Sequence, residues 1–516
     1  MAYTTTCEAW NKTNRCFRYP ELTIPRFSDK LDLGIALPGG GIRACVYSLG
    51  VMRGLHHLGV LQNAKYITAV SGSSWLTTTY CYQNVCSSSD FLGEYIAPRN
   101  LTLEKLSNSI SDIEFASVIP NFNIALNLVG NLIEENVVDS FEYLLGIKNT
   151  PEDCWSETIG EQMFVKYKLN DFCTVPYIDT VYLGRGGSGE GEYTHIQSLR
   201  NDAPFPIVLG GVICDTCKTH IEFTSLYYGL PVSDCGIVGT GMYVEPIGFL
   251  AFSQQKEIDR EVSDNHHFTF DVSSNNIEKN VISILKTSGI SSNYIPMDMN
   301  ASDKTTRMMQ LPYIDYFGQT LKLVDGGVIG EANGVSSLLQ RRVGNIIFVS
   351  TIQSSDDESQ DNKYMVNNNT TLASFFTAGA DTQLFKSECL DKLLKSFNRL
   401  IDQKLPLVVK MNVGIVSNKK YGLILADDET YTPTITFIHP SRNEWFDIIP
   451  TETCDYINNS ATNDVRNTIS YSQTVNATFK HYPFTSFKHL NVSAEYVVAM
   501  SQNACFDVIR HAELFM

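Results

Sequence analysis

The clearest pattern of apolar and polar positions in this 516-residue chain lies near its start. Residues 31–37 form a short apolar run, which predicts a buried strand. The breaker cluster Pro38-Gly39-Gly40-Gly41 ends this run, and from residue 42 to residue 61 apolar residues recur at intervals of three and four. That spacing is typical of a helix with one buried face. The segment therefore predicts a strand, a glycine-rich turn and a helix.

A second unit of the same kind follows directly. The apolar run 66–70 predicts another buried strand, Ser71-Gly72-Ser73 predicts a sharp turn, and residues 75–82 predict a helix. Two strand–helix units in succession form a βαβα arrangement, whose strands lie parallel and are joined by a right-handed crossover. The pattern therefore predicts an α/β fold.

The rest of the chain continues this alternation with longer polar interruptions. Residues 382–401 predict a strongly amphipathic helix. Further buried strands are predicted at 206–213, 320–324, 345–350 and 408–416. Polar stretches that predict surface loops lie at 184–192, 273–279 and 354–371. No repeat or clean linker interrupts the pattern, so we expect one domain over residues 1–516.

Composition and charge narrow the classes of function. No apolar run approaches the roughly 20 residues that span a bilayer, so we expect a soluble chain. The formal net charge of −17 argues against binding to nucleic acid, and against docking on anionic membranes by charge alone. No signal peptide is recognisable, and the 13 cysteines are an odd number, so a reducing cytosol is the simpler expectation.

The turn at Ser71 has the form expected for the nucleophile of a serine hydrolase. Such an enzyme needs an exposed hydroxyl on a strained turn, a base that accepts its proton, and donors for the oxyanion. The usual signature is G-x-S-x-G, and this chain has Ala69-Val70-Ser71-Gly72-Ser73, with small residues in place of both outer glycines. Taken alone the motif is weak, because an ordinary turn with a capping serine contains the same residues.

The glycine cluster at 39–41 strengthens this interpretation. Three consecutive glycines between a strand and a helix leave backbone N–H groups open at a helix N-terminus, where negative charge is stabilised. Without a Cβ, the turn does not block the approach of a substrate. Arg43, in the first helical turn, is oddly placed for the helix dipole. It fits either an anionic group such as a phosphate that docks nearby, or a structural ion pair that holds the loop.

A third motif places an aspartate after another predicted strand. Asp325 follows the apolar run 321–324 and precedes Gly326-Gly327. The carboxyl end of a strand is where the active sites of parallel sheets lie. A plain Asp-Gly turn is the alternative. The order and spacing of the three motifs therefore point to a serine hydrolase more strongly than any one of them.

Together these segments resemble the catalytic domain of the cytosolic phospholipase A2 and phospholipase B (lysophospholipase) family, which is related to the patatin-like hydrolases. The resemblance is dense in residues 31–83 and 319–350. It is carried by residues 38–44 (PGGGIRA), 50–52 (GVM), 59–61 (GVL), 69–75 (AVSGSSW), 323–328 (LVDGGV) and 346–348 (IIF).

The resemblance implies a three-layer α/β fold, with a mostly parallel central sheet, flanking helices and large insertions. The core would lie in the two dense segments, inserted cap or lid elements within 84–318, and a C-terminal helical and strand region in 351–516.

The resemblance also implies a Ser/Asp dyad, in which Ser71 attacks an acyl ester and Asp325 accepts its proton. The Gly40 and Gly41 amides would form the oxyanion hole. Arg43 would hold the phosphate of the headgroup, and Arg341, which loosely matches a second family arginine, would assist it. The implied substrate is a phospholipid or lysophospholipid at a membrane or micelle surface, with no cofactor, metal ion or nucleic acid.

Two departures from the family pattern affect these expectations. Ala69 replaces the first glycine of the elbow, which is a minor steric change. Only residues 1–30 precede the first predicted strand, too few for a calcium-binding β-sandwich. We therefore expect calcium-independent activity in the cytoplasm, with peripheral membrane association.

Other interpretations of the sequence are weaker. Residues 184–189 match G-x-G-x-x-G, but no helix opening follows, so a nucleotide-binding oxidoreductase lacks its structural context. Cys214 and Cys217 have C-x-x-C spacing without a second pair, which favours a local disulfide or two buried thiols over zinc. An acyltransferase and a catalytically inactive lipid-binding protein of the same fold remain alternatives. The intact Ser71 and Asp325 argue against the inactive one.

Overall fold

The computed structural model describes residues 4–12, 17–120, 163–169, 175–177, 196–213, 218–231, 241–246, 248–249, 261–262, 267–273, 313–316, 319–330, 332–350, 362–459 and 493–516. Its strands are β1 (Thr4–Asn11), β2 (Leu31–Leu37), β3 (Ala64–Val70), β4 (Val175–Tyr177), β5 (Ile196–Ser198), β6 (Phe205–Ile213), β7 (Lys218–Thr224), β8 (Tyr228–Leu230), β9 (Met242–Val244), β10 (Glu261–Val262), β11 (His267–Ser273), β12 (Tyr313–Tyr316), β13 (Gln319–Asp325), β14 (Asn345–Val349), β15 (Leu407–Asn412) and β16 (Thr434–His439).

The α-helices of the described residues surround these strands. They are α1 (Pro25–Ser28), α2 (Gly41–His57), α3 (Gly72–Tyr82), α4 (Ser88–Leu92), α5 (Leu103–Asn108), α6 (Val335–Gln340), α7 (Asn362–Asn367), α8 (Thr370–Ser374), α9 (Glu388–Asp402), α10 (Trp445–Ile448), α11 (Thr451–Asn459) and α12 (Ala494–Arg510). Short 3₁₀ turns separate several of them, among them Gly326–Ile329 directly after β13.

One 14-stranded sheet holds all of these strands except β4 and β5, which pair with each other. Its main order is β10-β11-β1-β9-β8-β7-β6-β3-β2-β14-β16-β15, and the β12–β13 hairpin joins it at β6. The five neighbouring strands β6, β3, β2, β14 and β16 are parallel. The other pairs of this sheet are antiparallel, as between β7 and β8, which only a short turn connects.

The predicted α/β fold with a large central sheet and flanking helices is confirmed. The sheet is mixed and not mostly parallel as predicted, because parallel pairing is limited to the five strands β6, β3, β2, β14 and β16. Both strands and both helices predicted from the start of the chain are present, and α2 ends at His57, a few residues before its apolar pattern does. The strands predicted from 206, 320, 345 and 408 onward correspond to β6, β13, β14 and β15.

The amphipathic helix predicted over 382–401 begins later, at Glu388. Leu384 and Phe385 are buried, but outside a helix. The Lys386 amide donates to the Gly414 carbonyl at 2.8 Å, so this segment is held against the chain that follows β15. Leu384 and Phe385 therefore fit the helical spacing of apolar residues by coincidence, since they are buried by a non-helical segment that precedes the helix.

Strand β1 was not predicted from the sequence. It lies between β9 and β11, with Trp10 opposite Tyr243 on one side and opposite His267 on the other. The Trp10 indole stacks on the His267 ring at a centroid distance of 5.7 Å. The start of the chain is thus an internal strand of the sheet.

Helix α2, which follows the glycine turn, is held along most of its length. Its residues from Gly41 to Leu55 are all buried. At Gly50 a Cβ would overlap the Ser501 carbonyl oxygen of α12, so the absent side chain is what permits this close helix contact. The N-terminus of α2 is therefore a fixed reference point for the residues that precede it.

Some predictions fall on residues outside the described ranges. These are the G-x-G-x-x-G segment 184–189, Cys214, Cys217 and most of the predicted cap. Within the described ranges, no cysteine forms a disulfide with another, and no helix has the length and apolar character needed to cross a bilayer.

Candidate active site

Ser71 lies on a sharp turn between β3 and α3. Its φ of 52° and ψ of −128° are unusual for a residue with a Cβ, and such strain persists only where the surrounding structure imposes it. The Ser71 carbonyl accepts hydrogen bonds from the Ser74 amide at 2.8 Å and from Ser74 Oγ at 2.5 Å. The turn therefore has the strained strand-to-helix form of a nucleophile elbow.

The elbow and the glycine turn are in direct contact. A Cβ at Gly72 would overlap the Gly41 carbonyl, and a Cβ at Gly39 would lie 3.3 Å from the Ser71 Cβ. Glycine at both positions lets the two backbones approach. Ser71 is only 4% exposed, in contrast to the exposed hydroxyl expected of a nucleophile, because the glycine turn packs over it.

The glycine turn presents backbone amides at the start of a long helix. Gly40 caps α2 with a φ of 132°, and Gly41 begins the helix with a φ of 62°. Both values lie in the region that favours glycine. The first N–H groups of a helix have no acceptor within the helix and carry its positive partial charge. Because Gly41 packs against Gly72 of the elbow, the N-terminus of α2 lies beside the turn that carries Ser71.

Strand register brings Asp325 to Ser71. Val70, the last residue of β3, pairs with Leu209 of β6, and Asp325, the last residue of β13, pairs with the next residue, Gly210. Because β3 is parallel and β13 antiparallel to β6, their carboxyl ends meet end to end. Asp325 thus lies at the carboxyl end of a strand, as predicted, but that strand approaches from the opposite direction.

The surroundings of Asp325 favour a base that titrates near neutrality. Burial raises its pKa to about 6, and hydrogen bonds from the Ser71 hydroxyl and the Gly327 amide limit the rise. The amide of Gly327 donates to Oδ1 at 2.7 Å, whereas the buried Oδ2 makes no hydrogen bond of regular geometry. The Ser71 hydroxyl is therefore close to the carboxylate but not aligned with it, and catalytic hydrogen bonds commonly tighten only when substrate binds.

Arg43 lies in the first turn of α2, two residues beyond Gly41. Only 5% of the residue is exposed. Its position next to the glycine turn agrees with the sequence-based prediction of a phosphate ligand near the oxyanion site, and also with a structural role. The geometry leaves both interpretations of Arg43 open.

The prediction that Arg341 helps to bind a substrate phosphate is wrong. Its side chain is fully buried, and all five of its N–H groups donate to protein acceptors. Nε donates to Glu21 at 2.9 Å, and the two terminal nitrogens donate to Glu222 at 3.0 and 2.8 Å. No donor is left for a substrate phosphate. The family resemblance suggested a phosphate ligand at Arg341, but its acidic partners come from distant segments that local sequence patterns do not connect.

Two contacts near Ser71 and the glycine turn were not identified from the sequence. Ser73, which replaces the last glycine of the usual elbow motif, donates from Oγ to the Pro38 carbonyl at 2.5 Å. The Gly39 amide donates to the Ala332 carbonyl at 2.8 Å. The hydroxyl at position 73 was visible in the motif, but the contact of Ala332 with the glycine turn depends on the fold.

The described residues contain no group of three or more His, Cys, Asp or Glu side chains placed to hold a metal ion. The groups assembled around Ser71 are a hydroxyl, a carboxylate of raised pKa and backbone amides at a helix N-terminus. Such a set is suited to acyl transfer through a covalent intermediate.

Comparisons with known proteins give one family and several structures. Residues 33–171 match the family model of the lysophospholipase catalytic domain, in agreement with the resemblance carried by the motifs. No curated protein matches the sequence. Human GIVD cytosolic phospholipase A2 in complex with methyl gamma-linolenyl fluorophosphonate is 14% identical, with a TM-score of 0.38 over 94% of this chain and 58% of that one. Another structure of human GIVD cytosolic phospholipase A2 is also 14% identical, with a TM-score of 0.41 over 93% of this chain and 59% of that one. The chain thus spans less than two thirds of the length of these structures.

Proposed function

We propose that this chain, whose residues 33–171 match the family model of the lysophospholipase catalytic domain, hydrolyses fatty-acyl ester bonds of phospholipids or lysophospholipids. Ser71 is the nucleophile and Asp325 the base of a two-residue catalytic site. The single observation that carries the proposal is the meeting of the carboxyl ends of β3 and β13 along β6. It brings together two residues that are distant in sequence and that were both predicted to be catalytic.

The first half of the reaction transfers the acyl group to the enzyme. Ser71 Oγ attacks the ester carbonyl carbon while its proton passes to the Asp325 carboxylate. The carbonyl oxygen becomes an oxyanion, which the Gly40 and Gly41 amides stabilise at the N-terminus of α2. When the carbon–oxygen ester bond breaks, the leaving alcohol takes the proton from Asp325, and an acyl-serine remains.

The second half of the reaction returns the enzyme to its starting state. Asp325 accepts a proton from water, whose oxygen attacks the acyl-serine carbonyl. The bond to Ser71 Oγ breaks, and Oγ takes the proton back from Asp325. The products are a fatty acid and a free hydroxyl on Ser71, and the carboxylate is regenerated.

Arg43 gives the proposal its selectivity for phosphate-bearing lipids. A guanidinium beside the glycine turn would bind the headgroup phosphate while the ester lies at the elbow. We expect Arg43→Met to reduce hydrolysis of a lysophospholipid much more than hydrolysis of a monoacylglycerol, which has no phosphate. An equal loss on both substrates would assign Arg43 a structural role.

The substrate is presented on a membrane or micelle surface, and the reaction requires no calcium. We propose a cytoplasmic enzyme that associates peripherally with lipid surfaces. Release of fatty acid from phosphatidylcholine vesicles and from lysophosphatidylcholine micelles, measured with and without a calcium chelator, tests both statements. Activity that the chelator abolishes would contradict the calcium-independent mechanism.

The nucleophile is tested with a fluorophosphonate probe and mass spectrometry. We expect the probe to modify Ser71 in the wild-type protein, and Ser71→Ala to abolish both the labelling and the release of fatty acid. Thr79→Val is a matched control, because the Thr79 hydroxyl is also buried in α3 but donates to the Trp75 carbonyl of its own helix. Lipid binding without labelling or hydrolysis would instead favour an inactive lipid-binding protein.

A further inference from the structure

One peptide unit of the glycine turn is held at both ends. The Pro38 carbonyl accepts a hydrogen bond from Ser73 Oγ at 2.5 Å. The N–H of the same peptide unit, which belongs to Gly39, donates to the Ala332 carbonyl at 2.8 Å. Because a peptide unit is planar and rigid, these two hydrogen bonds together fix its orientation.

This peptide unit connects the three segments of the proposed catalytic site. Pro38 and Gly39 directly precede the amides of Gly40 and Gly41. Ser73 lies two residues after the nucleophile. Ala332 lies between Asp325 and α6, so the aspartate segment contacts the glycine turn through its backbone.

The aspartate side of this connection is itself anchored to the sheet. Thr68 Oγ1 of β3 donates to the Asn333 carbonyl at 2.9 Å, and Asn333 Nδ2 donates to the Val349 carbonyl of β14 at 3.2 Å. Asn333 and Thr68 are fully buried. The Ala332 carbonyl, which accepts from the Gly39 amide, therefore directly precedes Asn333, and Asn333 is hydrogen-bonded to the strands β3 and β14.

The serine side of the connection has a defined direction. Ser73 is fully buried, and its Oγ lies 2.8 Å from Ser48 Oγ of α2. A hydroxyl has a single hydrogen, and Ser73 gives it to the Pro38 carbonyl, so Ser48 is the donor between the two serines. The hydroxyl chain runs from Ser48 to Ser73 to Pro38 and links α2 with the turn at its own N-terminus.

We infer that Ser73 is a positioning residue, which sets the orientation of the Pro38–Gly39 peptide and thereby aims the Gly40 and Gly41 amides at the oxyanion. The usual elbow motif has glycine at this place, and glycine has no hydroxyl to donate. The inference rests on the proposed function, since it assigns a role in the same reaction. It differs from a stability role, because Ser73 acts through the geometry of the amides.

Kinetics of Ser73→Ala test this inference on the full-length protein. Misplacement of catalytic groups by about 1 Å reduces rates by up to roughly 100-fold. We therefore expect kcat to fall by about 10- to 100-fold, with KM changed less than about threefold. Labelling of Ser71 by the fluorophosphonate should slow by a similar factor, because that reaction also forms an oxyanion-like centre.

A pair of inhibitors separates positioning from loss of folded protein. A fatty-acyl trifluoromethyl ketone forms a tetrahedral alkoxide on the nucleophile and needs the oxyanion donors, whereas an ether analogue of the lysophospholipid does not. We expect Ser73→Ala to weaken the ketone in proportion to its loss of kcat/KM and to leave binding of the ether unchanged. Partial unfolding alone would lower the apparent kcat and change neither inhibition constant.

Two further variants keep the inference open to contradiction. Ser48→Ala removes the donor to Ser73 but leaves the hydrogen bond to Pro38, so its effect on kcat should be less than about threefold. Ser73→Cys retains the shape and a weak donor, and should lie between wild type and Ser73→Ala. If Ser73→Ala does not fold, the kcat and the ketone inhibition of Ser73→Cys test the inference in its place.

The outcomes distinguish this inference from the proposed function. A wild-type protein that neither releases fatty acid nor is labelled at Ser71 overturns both. An active wild type with Ser73→Ala or Ser73→Cys of unchanged kcat and unchanged ketone inhibition overturns the positioning role alone. Thr79→Val, on the same helix, should behave like wild type in all of these measurements.

Discussion

Two buried carboxyl groups, Asp325 and Asp507, resemble each other in chemistry but differ in surroundings. Burial raises the pKa of Asp325 to about 6 and the pKa of Asp507 to about 8. Asp507 Oδ2 accepts from the Tyr47 hydroxyl at 2.9 Å, and its Oδ1 accepts from Asn443 Nδ2 at 2.8 Å. Asp325 has a regular hydrogen bond on only one oxygen, and the Ser71 hydroxyl lies close to its carboxyl group.

The difference shows that a raised pKa does not by itself identify a catalytic acid or base. Asp507 connects α12 to α2 and to the chain after β16, and both of its oxygens are used in that connection. Asp325 has one oxygen without a regular partner and lies close to the hydroxyl of Ser71, which sits on a strained turn. A functional assignment therefore depends on which groups the carboxylate meets, in addition to its burial.

The largest expected difference between the two residues is in activity. Asp325→Asn removes the proposed base and should reduce kcat by roughly 10²- to 10⁴-fold, because general base catalysis commonly contributes that much. Asp507→Asn keeps an acceptor for Asn443 and a donor for the Tyr47 hydroxyl, so kcat should stay within about twofold. Steady-state hydrolysis of a lysophospholipid measures both. Similar losses in the two variants would remove the distinction.

For the free energy of unfolding the order is reversed, and the Asp507 variant should show the larger loss. Asp507→Ala removes both hydrogen bonds from the core and should lower the free energy of unfolding by roughly 2–4 kcal/mol. Asp325→Ala removes a buried carboxylate that is poorly paired, and should lie within about 1 kcal/mol of wild type or above it. Denaturant unfolding gives both values. A larger loss for Asp325→Ala would mean that the active-site carboxylate also stabilises the fold.

The pH dependence of stability should separate the two groups further. An unfolded aspartate has a pKa near 3.9, so above about pH 4 each folded carboxyl group retains a proton that the unfolded chain has released. The stabilisation is complete below that pH and is lost as the pH rises through the folded pKa, with a slope of at most about 1.4 kcal/mol per pH unit for each group.

Asp325 should contribute to this slope up to about pH 6, and Asp507 up to about pH 8. Asp507→Asn should therefore flatten the stability curve between pH 6 and pH 8, where Asp325→Asn leaves it unchanged. Unfolding measured at a series of pH values compares the variants. Identical curves for wild type and Asp507→Asn would show that Asp507 is already ionised in the folded protein.

The smallest expected effect is on the pH profile of the reaction. Asp325 must be ionised to accept a proton, so kcat/KM should fall below about pH 6 and be about tenfold lower near pH 5 than at its plateau. Asp507→Asn should leave this profile in place. A profile without an acidic limb near pH 6 would argue against Asp325 as the base.

The sequence predicted the parts of the fold that depend on local periodicity. The units β2–α2 and β3–α3 have uninterrupted apolar patterns and clear turn residues, so their existence and order followed from the residues alone. The motifs around Ser71 and Asp325 could be predicted for the same reason, since each lies at the end of one such strand.

Features that depend on pairing between distant segments could not be predicted. The direction of β13, which approaches β6 antiparallel, is not contained in its apolar pattern. The partners of Arg341 are Glu21 and Glu222, which lie far apart in sequence, so its loose match to a family arginine suggested a substrate ligand instead. The position of Ala332 on the glycine turn likewise follows only from the assembled sheet.

The place of β1 has a consequence for how the molecule is made. Its neighbours, β9 and β11, are synthesised long after it, so β1 cannot pair with β9 before residue 244 is made, and its pairing with β11 is complete only after residue 273. Contacts of such long sequence separation slow folding. A bulky fusion placed directly before Thr4 would lie next to Ser273 of β11, the partner of Thr4, so a fusion remote from β1 should give a better yield of folded protein.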